Sequence, residues 1–529
     1  MISDLNIKVD PERCLACGNC VDRCIMDNLR LAIGPCRQAC PLQINCQGYL
    51  RLLAKGREED AAAHLRQDTP FGEVLGYICN HPCESACQRH TGCHDGAVHI
   101  RAIKRYLSER FPAVVAAPAQ KAPATGKRAA VVGAGPAGLM AAYELAAAGH
   151  DVTLFDAGDK PGGLLRTGIP AFRLPDAVTD RAVAQVTALG VRIESGKRLG
   201  ADLSLDALEQ EYDAVLLALG LGRSQSPRIP GADLPAVHGA LEVLHKARKG
   251  ERFDAASAIV IGGGSTAMDV ALSLKKMGLD VTMLVMEGPY DMPIPEGERD
   301  EALEEGVRIE NRWGVTAIRA GQDGLTCTMQ RCLAVFDHNG AFAPELDPLC
   351  TAERSADMVV LAIGQGLDPV DGLPQTARHL LDADPQTGRL AGRDKVFAAG
   401  DCTTGASSVV AAMASGRSVA RCVSRFLCEE YPLALDEMAE KGWCNDFEPH
   451  LERSNGVPRG SLTRLPVAER SLTAVTEQVL TPEEAQKEAA RCMACGRAFE
   501  ANRTCWFCLP CEIDCPEEAL TVRMPYLVR

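Results

Sequence analysis

The sequence predicts an α/β protein with two Rossmann-like nucleotide-binding units, a mostly helical segment before them, and cysteine motifs at both chain ends. Two patterns of strand, glycine-rich turn, helix and strand occur at 128–157 and 257–287. Residues 35–110 carry apolar residues at helical spacing, as in "INCQGYLRLLAKGREEDAAAHLR". Eleven cysteines lie in residues 1–93 and six in residues 492–515, out of 24 in the chain.

Length and charge exclude several classes of protein. A chain of 529 residues is too long for one core and predicts several domains. Its net charge of −14, without a basic stripe, argues against a nucleic-acid partner. The N-terminus has no apolar signal segment, and no run of about 18 apolar residues predicts a membrane span. We therefore expect a cytoplasmic protein.

The cysteine spacing favours metal ligands over disulfides, because tight C-x-x-C pairs in a large chain without an export signal are typical of a reducing compartment. The motif "CLACGNCVDRC" at one end and "CWFCLPCEIDCP" at the other each match one half of a two-cluster bacterial ferredoxin. The candidate ligands in these motifs are Cys14, Cys17, Cys20, Cys24, Cys505, Cys508, Cys511 and Cys515.

In two-cluster ferredoxins, the fourth cysteine of each motif ligates the cluster of the other motif. We therefore predict that both chain ends form one ferredoxin-like module, in which Cys515 completes the N-terminal cluster and Cys24 the C-terminal one. Two alternatives stay open. Each motif could close its own cluster independently, or the cysteines could bind zinc, although structural zinc sites favour two separated pairs.

The first Rossmann-like unit carries the glycine fingerprint of a dinucleotide site. Gly133 permits the tight turn after an apolar strand, Gly135 lets a pyrophosphate approach the backbone, and Gly138 lets helix and strand pack closely. The phosphates would meet free N–H groups at the helix N-terminus. Asp156 ends the next strand, where a carboxylate binds the ribose hydroxyls.

The second unit repeats the pattern with Gly262, Gly264 and Ala267. Alanine at the third glycine position weakly favours NADP as the bound nucleotide. Glu287 stands at the ribose position, where it would repel a 2′-phosphate. The sequence therefore favours NADH over NADPH.

A third segment, "VFAAGDCTTGASSVV", delivers Gly400 and Asp401 from a strand to the start of a helix. This suits the ribityl chain and pyrophosphate of a flavin. Taken alone, an ordinary strand–loop–helix connection explains it better.

Together with "GGLLRTGIPAFRLP", "GAGPAG", "GGGSTAMDVA" and "AAGDCTTG", these residues resemble the small (beta) subunit family of bacterial glutamate synthase. The N-terminal half of dihydropyrimidine dehydrogenase and the large subunit of NADH-dependent ferredoxin:NADP oxidoreductase look similar. The resemblance runs from about residue 35 to 427. It implies an FAD domain interrupted by an NAD(P) domain, behind a helical iron–sulfur domain.

The resemblance also implies the cofactor contacts. FAD should contact Gly133, Gly135, Pro136, Ala137, Gly138, Asp156, Gly163, Leu164, Arg173, Gly400 and Asp401. The nicotinamide nucleotide should contact Gly262, Gly263, Gly264, Ser265, Thr266 and Glu287. NADP-using relatives carry an arginine pair where this chain has Met286 and Glu287. No side chain is assigned a catalytic role, because the hydride passes between the two cofactors.

For the helical domain, the resemblance implies further cluster ligands, giving about four [4Fe–4S] clusters in all. The ligands are Cys36, Cys40, Cys79, Cys83 and Cys87, with Cys492 and Cys495 replacing a pair that the family carries just upstream. Where the family has a fourth ligand of Gln or Glu, this chain has Lys104, which is not a plausible ligand. Cys93 is the predicted replacement, with Cys46 as the alternative.

The predicted domains are a ferredoxin-like half, the helical domain, a linker, two parts of the FAD domain around the NAD(P) domain, a second linker and the C-terminal cysteine segment. The ferredoxin-like half spans 1–34, the helical domain 35–110 and the first linker 111–127. The FAD domain spans 128–250 and 366–430, with the NAD(P) domain at 251–365 between its two parts. The second linker spans 431–480 and the C-terminal cysteine segment 481–529. The resemblance implies an electron-transfer subunit between NAD(H) and ferredoxin or a partner catalytic subunit, in a hetero-oligomer. Rival predictions are a self-contained NAD(P)H:ferredoxin oxidoreductase and a non-catalytic redox scaffold.

Overall fold

A computed structural model of the chain describes residues 6–295, 297–321, 324–429, 443–444, 451–501 and 505–523. Parts of the predicted second linker, at 431–442 and 445–450, lie outside the described residues.

The N-terminal third begins with a small β-rich segment and continues as a helical domain, as predicted. Its elements are β1 (Ile7–Val9), α1 (Asn19–Asp22), β2 (Leu29–Ala32), α2 (Pro35–Gln38), α3 (Cys46–Ala54), α4 (Glu58–Asp68), α5 (Gly72–Ile78), α6 (Pro82–Ser85), α7 (Gln88–Thr91), α8 (Ile100–Arg110) and α9 (Pro112–Val115). The longer helices bury apolar faces in a common core that includes Leu50, Leu65, Leu75 and Ile103.

The first Rossmann domain follows, and a second one is inserted into it. In chain order the elements are β3 (Arg128–Val132), α10 (Pro136–Ala147), β4 (Asp151–Phe155), α11 (Leu164–Thr167), α12 (Asp176–Thr187), β5 (Arg192–Glu194), α13 (Leu205–Glu211), β6 (Ala214–Leu217), β7 (Arg223–Ser224), β8 (Val237–Gly239), α14 (Ala240–Arg248), β9 (Ser257–Ile261), α15 (Ser265–Lys276), β10 (Asp280–Val285), α16 (Glu298–Glu304), β11 (Arg308–Asn311), β12 (Trp313–Gly321), β13 (Gly324–Phe336), β14 (Phe342–Ala356), β15 (Met358–Leu361), β16 (Gln365–Gly366), β17 (Val396–Ala398), α17 (Asp401–Thr404) and α18 (Val409–Leu427).

The sheet order confirms the interrupted domain. The first parallel sheet runs β17-β6-β3-β4-β5, so β17 returns to it after the whole second domain. The second parallel sheet runs β11-β10-β9-β15-β8. Because β8 pairs with β15, the second domain begins near residue 237 rather than at the predicted 251. The short strand β8 falls outside the predicted bounds of the second domain because its pairing partner lies more than 100 residues away in sequence.

The C-terminal segment returns to the N-terminus. Its elements are β18 (Trp443–Cys444), 3₁₀ turns at Leu451–Arg453 and Val467–Glu469, α19 (Pro482–Ala489), β19 (Arg497–Glu500), α20 (Pro510–Ile513) and β20 (Leu520–Val522). Strand β1 pairs antiparallel with β20, and β2 lies between β18 and β19. The prediction of one module built from both chain ends is confirmed.

Residues 451–480, here called the C-terminal strap, form the C-terminal part of the second linker predicted at 431–480. The strap is irregular in conformation, as its composition indicates, but arginine contacts hold it against two domains. The Arg459 guanidinium lies 2.6 Å from the Glu84 carboxylate of the helical domain. Arg470 pairs with Glu304 at 2.8 Å and with Glu305 at 3.3 Å in the second Rossmann domain. The strap therefore ties these two domains together.

Candidate redox site

The glycine turn of the first Rossmann domain combines two crowded positions with one open position. Gly133 has a φ of 105°, and a Cβ there would lie 2.2 Å from the Ala218 carbonyl oxygen. A Cβ on Gly138 would lie 1.8 Å from the Gly133 carbonyl oxygen. A Cβ on Gly135 would meet no atom within 4 Å. Gly133 and Gly138 therefore serve the packing of the turn, whereas Gly135 leaves space for a ligand.

The second turn has the same design. A Cβ on Gly262 would lie 2.3 Å from the Ala362 carbonyl oxygen, whereas one on Gly264 would meet nothing within 4 Å. Each open glycine stands immediately before the first residue of a helix, α10 or α15. The free N–H groups at these helix N-termini suit phosphate oxygens.

Both turns face one cleft of about 1720 Å³. Fifteen of the predicted cofactor residues line it: Gly133, Gly135, Pro136, Ala137, Asp156, Gly163, Leu164, Arg173, Asp401, Gly262, Gly263, Gly264, Ser265, Thr266 and Glu287. Gly138 and Gly400 do not line the cleft. Gly138 packs against the turn, and a Cβ on Gly400 would lie 2.7 Å from the Ala137 Cβ. The segment at 400 thus packs beside the first glycine turn.

Two carboxylates, Asp156 and Glu287, line the cleft just after the strands that follow the glycine turns. Asp156 accepts hydrogen bonds from the Ala134 N–H at 2.6 Å and the Gly158 N–H at 2.8 Å. Burial raises the pKa of Asp156, while these backbone donors oppose the rise. The Glu287 carboxylate lies 2.8 Å from the position that a Cβ on Gly263 would occupy. It therefore places a negative charge directly beside the second glycine turn.

Arg173, which is predicted to contact FAD, also contacts the second Rossmann domain. Its guanidinium lines the cleft but also forms an ion pair with Asp269 on α15 and lies 3.6 Å from Glu301. Burial raises the pKa of Asp269 to about 7, although Arg173 opposes the shift. The pair joins the two Rossmann domains across the cleft. Sequence analysis missed Asp269, although it lies within the quoted motif "GGGSTAMDVA".

The helical domain contributes its cysteine loop to the same cleft. Cys79, Asn80 and His81 line it together with the Rossmann turns. The His81 N–H lies 3.4 Å from the Cys79 sulfur. A cysteine-rich site therefore adjoins the nucleotide cleft directly.

One cysteine group in the helical domain contains Cys36, Cys87, Cys492 and Cys495. The pKa of Cys36 is raised by its hydrogen bond with Cys46 and by its burial. The nearby Cys492 and Cys495 thiols raise it further. Burial raises the pKa of Cys492 to about 11, and the nearby Cys87 thiol adds to the rise.

The pair Cys492 and Cys495 is held on the helical domain by specific contacts. The Gln47 amide donates to the Gly496 carbonyl at 2.7 Å and accepts from the Gly496 N–H at 2.6 Å. The buried Arg491 donates to the Ala97 carbonyl at 3.0 Å. These contacts place the C-terminal pair beside Cys36 and Cys87 of the helical domain.

A second group contains Cys40, Cys79 and Cys83, with Cys46 and Lys104 beside them. Hydrogen bonds from Cys36 and Cys83 lower the pKa of Cys46 well below its ordinary value. Cys93, the predicted fourth ligand of this group, lies elsewhere: its sulfur is 3.7 Å from the Met493 sulfur, on the side of Cys495. The structure therefore favours Cys46, which sequence analysis named only as the alternative.

The terminal module brings cysteines from both chain ends together. A small cavity is lined by Cys14, Cys17, Cys20 and Cys515. Burial, followed by the neighbouring Cys24, Cys505 and Cys508 thiols, raises the pKa of Cys511 to about 11. These two groupings are those expected from cross-ligation.

The backbone of the cysteine loops suits iron–sulfur clusters. Four residues that follow a cysteine by two positions have left-handed φ angles: Ala16 (53°), His81 (42°), Ala494 (50°) and Phe507 (57°). This conformation is strained for non-glycine residues. The Ala16 and Phe507 N–H groups each lie 3.4 Å from the sulfur of the preceding cysteine. Hydrogen bonds to ligand sulfurs are a recognised feature of cluster sites.

A single metal ion fits these groups less well. Within the described ranges, no three Cys, His, Asp or Glu side chains converge as they would around one ion. A cluster of four irons is larger than one ion and keeps its thiolates further apart.

Comparisons with known proteins agree with this architecture. The family described as pyridine nucleotide-disulphide oxidoreductase matches residues 127–416, and dihydropyrimidine dehydrogenase domain II, 4Fe-4S cluster, matches residues 21–114. The NADP(+)-dependent formate dehydrogenase subunit beta of Moorella thermoacetica is 32% identical over 504 residues, covering 88% of this chain and 70% of the relative.

One further relative supports the assignment, and one solved structure shares the fold. The NAD-dependent dihydropyrimidine dehydrogenase subunit PreT homolog of Salmonella typhi is 33% identical over 410 residues, covering 75% of this chain and 91% of the relative. The structure of Mycobacterium tuberculosis FprA in complex with NADPH shares the fold, with a TM-score of 0.51 at 18% identity over 63% of this chain and 89% of that one.

No helix in the described part of the chain has the length and apolar character that a membrane crossing needs. The resemblance seen in the sequence is confirmed by the matched families and relatives. The interrupted Rossmann domains, the shared cleft and the adjoining cysteine groups are those of an NAD(P)H-dependent, FAD- and [4Fe–4S]-containing electron-transfer subunit. The chain belongs to the pyridine nucleotide-disulphide oxidoreductase family.

Proposed function

We propose that the chain takes electrons from NADH and passes them to a partner catalytic subunit through cysteine-bound clusters. The observation that carries this proposal is the shared cleft, where both open glycine turns and Cys79 line one space. When bound there, the nicotinamide and FAD exchange a hydride, and [4Fe–4S] clusters carry single electrons onward.

The chain's own residues have binding and positioning roles in this proposal. The open position at Gly135 admits the FAD pyrophosphate, and the one at Gly264 admits that of NADH. The Arg173–Asp269 ion pair keeps the two turns facing each other across the cleft. No protein group needs to transfer a proton for hydride exchange between the two cofactors.

Glu287 supports NADH as the donor. A 2′-phosphate bound near this carboxylate would bring two negative charges together, which costs several kcal/mol at an interface. The family relatives include both NADP-dependent and NAD-dependent proteins by name, so the preference rests on this residue.

The proposed cluster ligands form four groups. They are Cys40, Cys79 and Cys83 beside the cleft; Cys36, Cys87, Cys492 and Cys495 next to them; Cys14, Cys17, Cys20 and Cys515; and Cys24, Cys505, Cys508 and Cys511. Cys508 is exposed, so the cluster of the last group is the one from which electrons would pass to a partner. Relatives named as beta subunits support a multi-subunit assembly.

Anaerobic titration of the purified protein with NADH tests the proposal. Bleaching of the flavin absorbance is expected, followed by bleaching of the cluster absorbance. An unreduced flavin would favour the redox scaffold and contradict the proposal. Purification from the native source should yield a stoichiometric second chain, whereas a single chain that reduces ferredoxin by itself would favour the self-contained oxidoreductase.

A further inference from the structure

Lys104 is a buried cation without a carboxylate partner. It lies on α8 with 2% of its surface exposed. Throughout the ranges that the structure describes, no carboxylate oxygen lies within 4.0 Å of its ammonium group. The thiols of Cys79, Cys83, Cys46 and Cys40 act on its charge more strongly than any carboxylate does. Burying an ammonium group costs several kcal/mol unless an opposite charge compensates it.

Cys46 is equally buried and is held in place. It opens helix α3 with 1% of its surface exposed, and the preceding Asn45 side chain caps the helix by accepting from the Gly48 N–H at 3.1 Å. The Cys36 and Cys83 thiols are the groups that act most on the Cys46 thiol, and Cys46 shares one buried core with Cys40, Cys79 and Cys83. Cys46 therefore stands between the two cysteine groups of the helical domain.

The number of thiols decides to which group Cys46 belongs. Cys36 lies beside Cys492 and Cys495, which in turn have Cys87 as a neighbour, so these four cysteines form one group. The group beside the cleft has only Cys40, Cys79 and Cys83. A [4Fe–4S] cluster needs four ligands. Cys46 is the cysteine that the fold places there.

We propose that Cys46 is the fourth ligand of a [4Fe–4S] cluster held by Cys40, Cys79 and Cys83, and that Lys104 is the counter-charge of that cluster. A cluster with four thiolate ligands is anionic and gains negative charge on reduction. A buried ammonium group beside it stabilises the reduced state and raises the reduction potential. The burial of Lys104 and the charge of the cluster then compensate each other. The inference rests on the proposed function for the presence of this cluster, but its tests need no nicotinamide.

Cys46→Ser tests the ligand, with Cys93→Ser as the matched control. Intact protein should hold about sixteen irons per chain from four clusters. We expect Cys46→Ser to lose about a quarter of the iron, or to replace one cluster's electron paramagnetic resonance (EPR) signal with that of a three-iron form. Cys93→Ser should keep the full iron content. Full iron and an unchanged spectrum in Cys46→Ser, or loss in Cys93→Ser instead, would overturn the assignment.

Lys104→Met tests the counter-charge, with Lys104→Arg as the charge-retaining control. The proteins are titrated with dithionite and redox mediators, and the cluster is followed by EPR spectroscopy. We expect Lys104→Met to keep its iron while the oxidised-to-reduced ratio at a fixed potential rises at least tenfold, about 59 mV for one electron. Lys104→Arg should stay closer to the parent protein.

Two results would refute the role of Lys104. An unchanged potential in iron-replete Lys104→Met would show that the ammonium does not act on the cluster. Loss of a quarter of the iron in both Lys104 variants would show that the lysine is needed to hold the cluster. Retained FAD absorbance serves as the folding control in every variant. If NADH fails to reduce a protein that passes these tests, the proposed function fails and the cluster assignment stands.

Discussion

Gly135→Val separates ligand binding from folding at the first glycine turn. A Cβ at Gly135 meets no atom within 4 Å, and its φ of −75° and ψ of −173° are open to any residue. We therefore expect the flavin-free variant to keep its free energy of unfolding within about 0.5 kcal/mol of the parent. In the flavin-binding protein, the valine side chain would fill the space through which the pyrophosphate approaches the backbone.

Gly133→Ala provides the contrast two residues away. Its Cβ would lie 2.2 Å from the Ala218 carbonyl oxygen, and its φ of 105° is unfavourable for alanine. Overpacking costs about 1–3 kcal/mol and a left-handed backbone about 1–2 kcal/mol, so the flavin-free protein should lose about 2–5 kcal/mol. Gly133→Ala should thus lower the free energy of unfolding clearly more than Gly135→Val does.

The assays are flavin absorbance per chain after gel filtration and denaturant unfolding of the flavin-free proteins. Gly135→Val should retain less than a tenth of the parent's FAD, a loss of at least about 1.4 kcal/mol in binding. Full FAD occupancy in Gly135→Val would show that this turn does not hold the cofactor. Unfolding of flavin-free Gly135→Val as early as Gly133→Ala would show that the space is not open.

Three further predictions follow from the same structure. Gly264→Val should keep FAD but lose flavin reduction by NADH in anaerobic stopped-flow, and retained reduction would contradict the second nucleotide site. Glu287→Arg should weaken the NADH preference in steady-state assays, because it removes a charge that repels a 2′-phosphate; a tenfold NADPH preference in the parent protein, about 1.4 kcal/mol, would refute this reasoning. Truncation after residue 480 removes β19 and β20, so iron analysis should show loss at the N-terminal motif as well, and retention of its cluster would contradict the shared module.

Local sequence signals predicted the Rossmann turns and the cysteine motifs, because short spacings determine both. Gly135 and Gly264 could be found from neighbours within a few residues. The Arg173–Asp269 pair could not, since its partners come from different domains and neither position is unusual alone. Cys46 stands outside any cysteine motif, and only the packing of α3 against the other helices brings it to the cluster site.

The C-terminal strap shows a different limit of sequence analysis. Its polar, irregular sequence is typical of a linker, and the secondary structure agrees. Its order comes from arginine side chains whose partners, such as Glu84 and Glu304, lie far away in sequence. Local composition therefore describes its conformation but not its attachment.

The pairing of the chain ends also sets an order of assembly. Strands β1 and β2 are synthesised long before their partners β20 and β19. At about 5–20 residues per second, a ribosome needs about 25–100 s to travel from the first cysteine motif to the second. During that time the N-terminal strands have exposed edges and an incomplete set of thiols. The proposed ligand set of this module is therefore incomplete until the second cysteine motif has been synthesised, so a chain that stops before that motif would lack the proposed electron outlet.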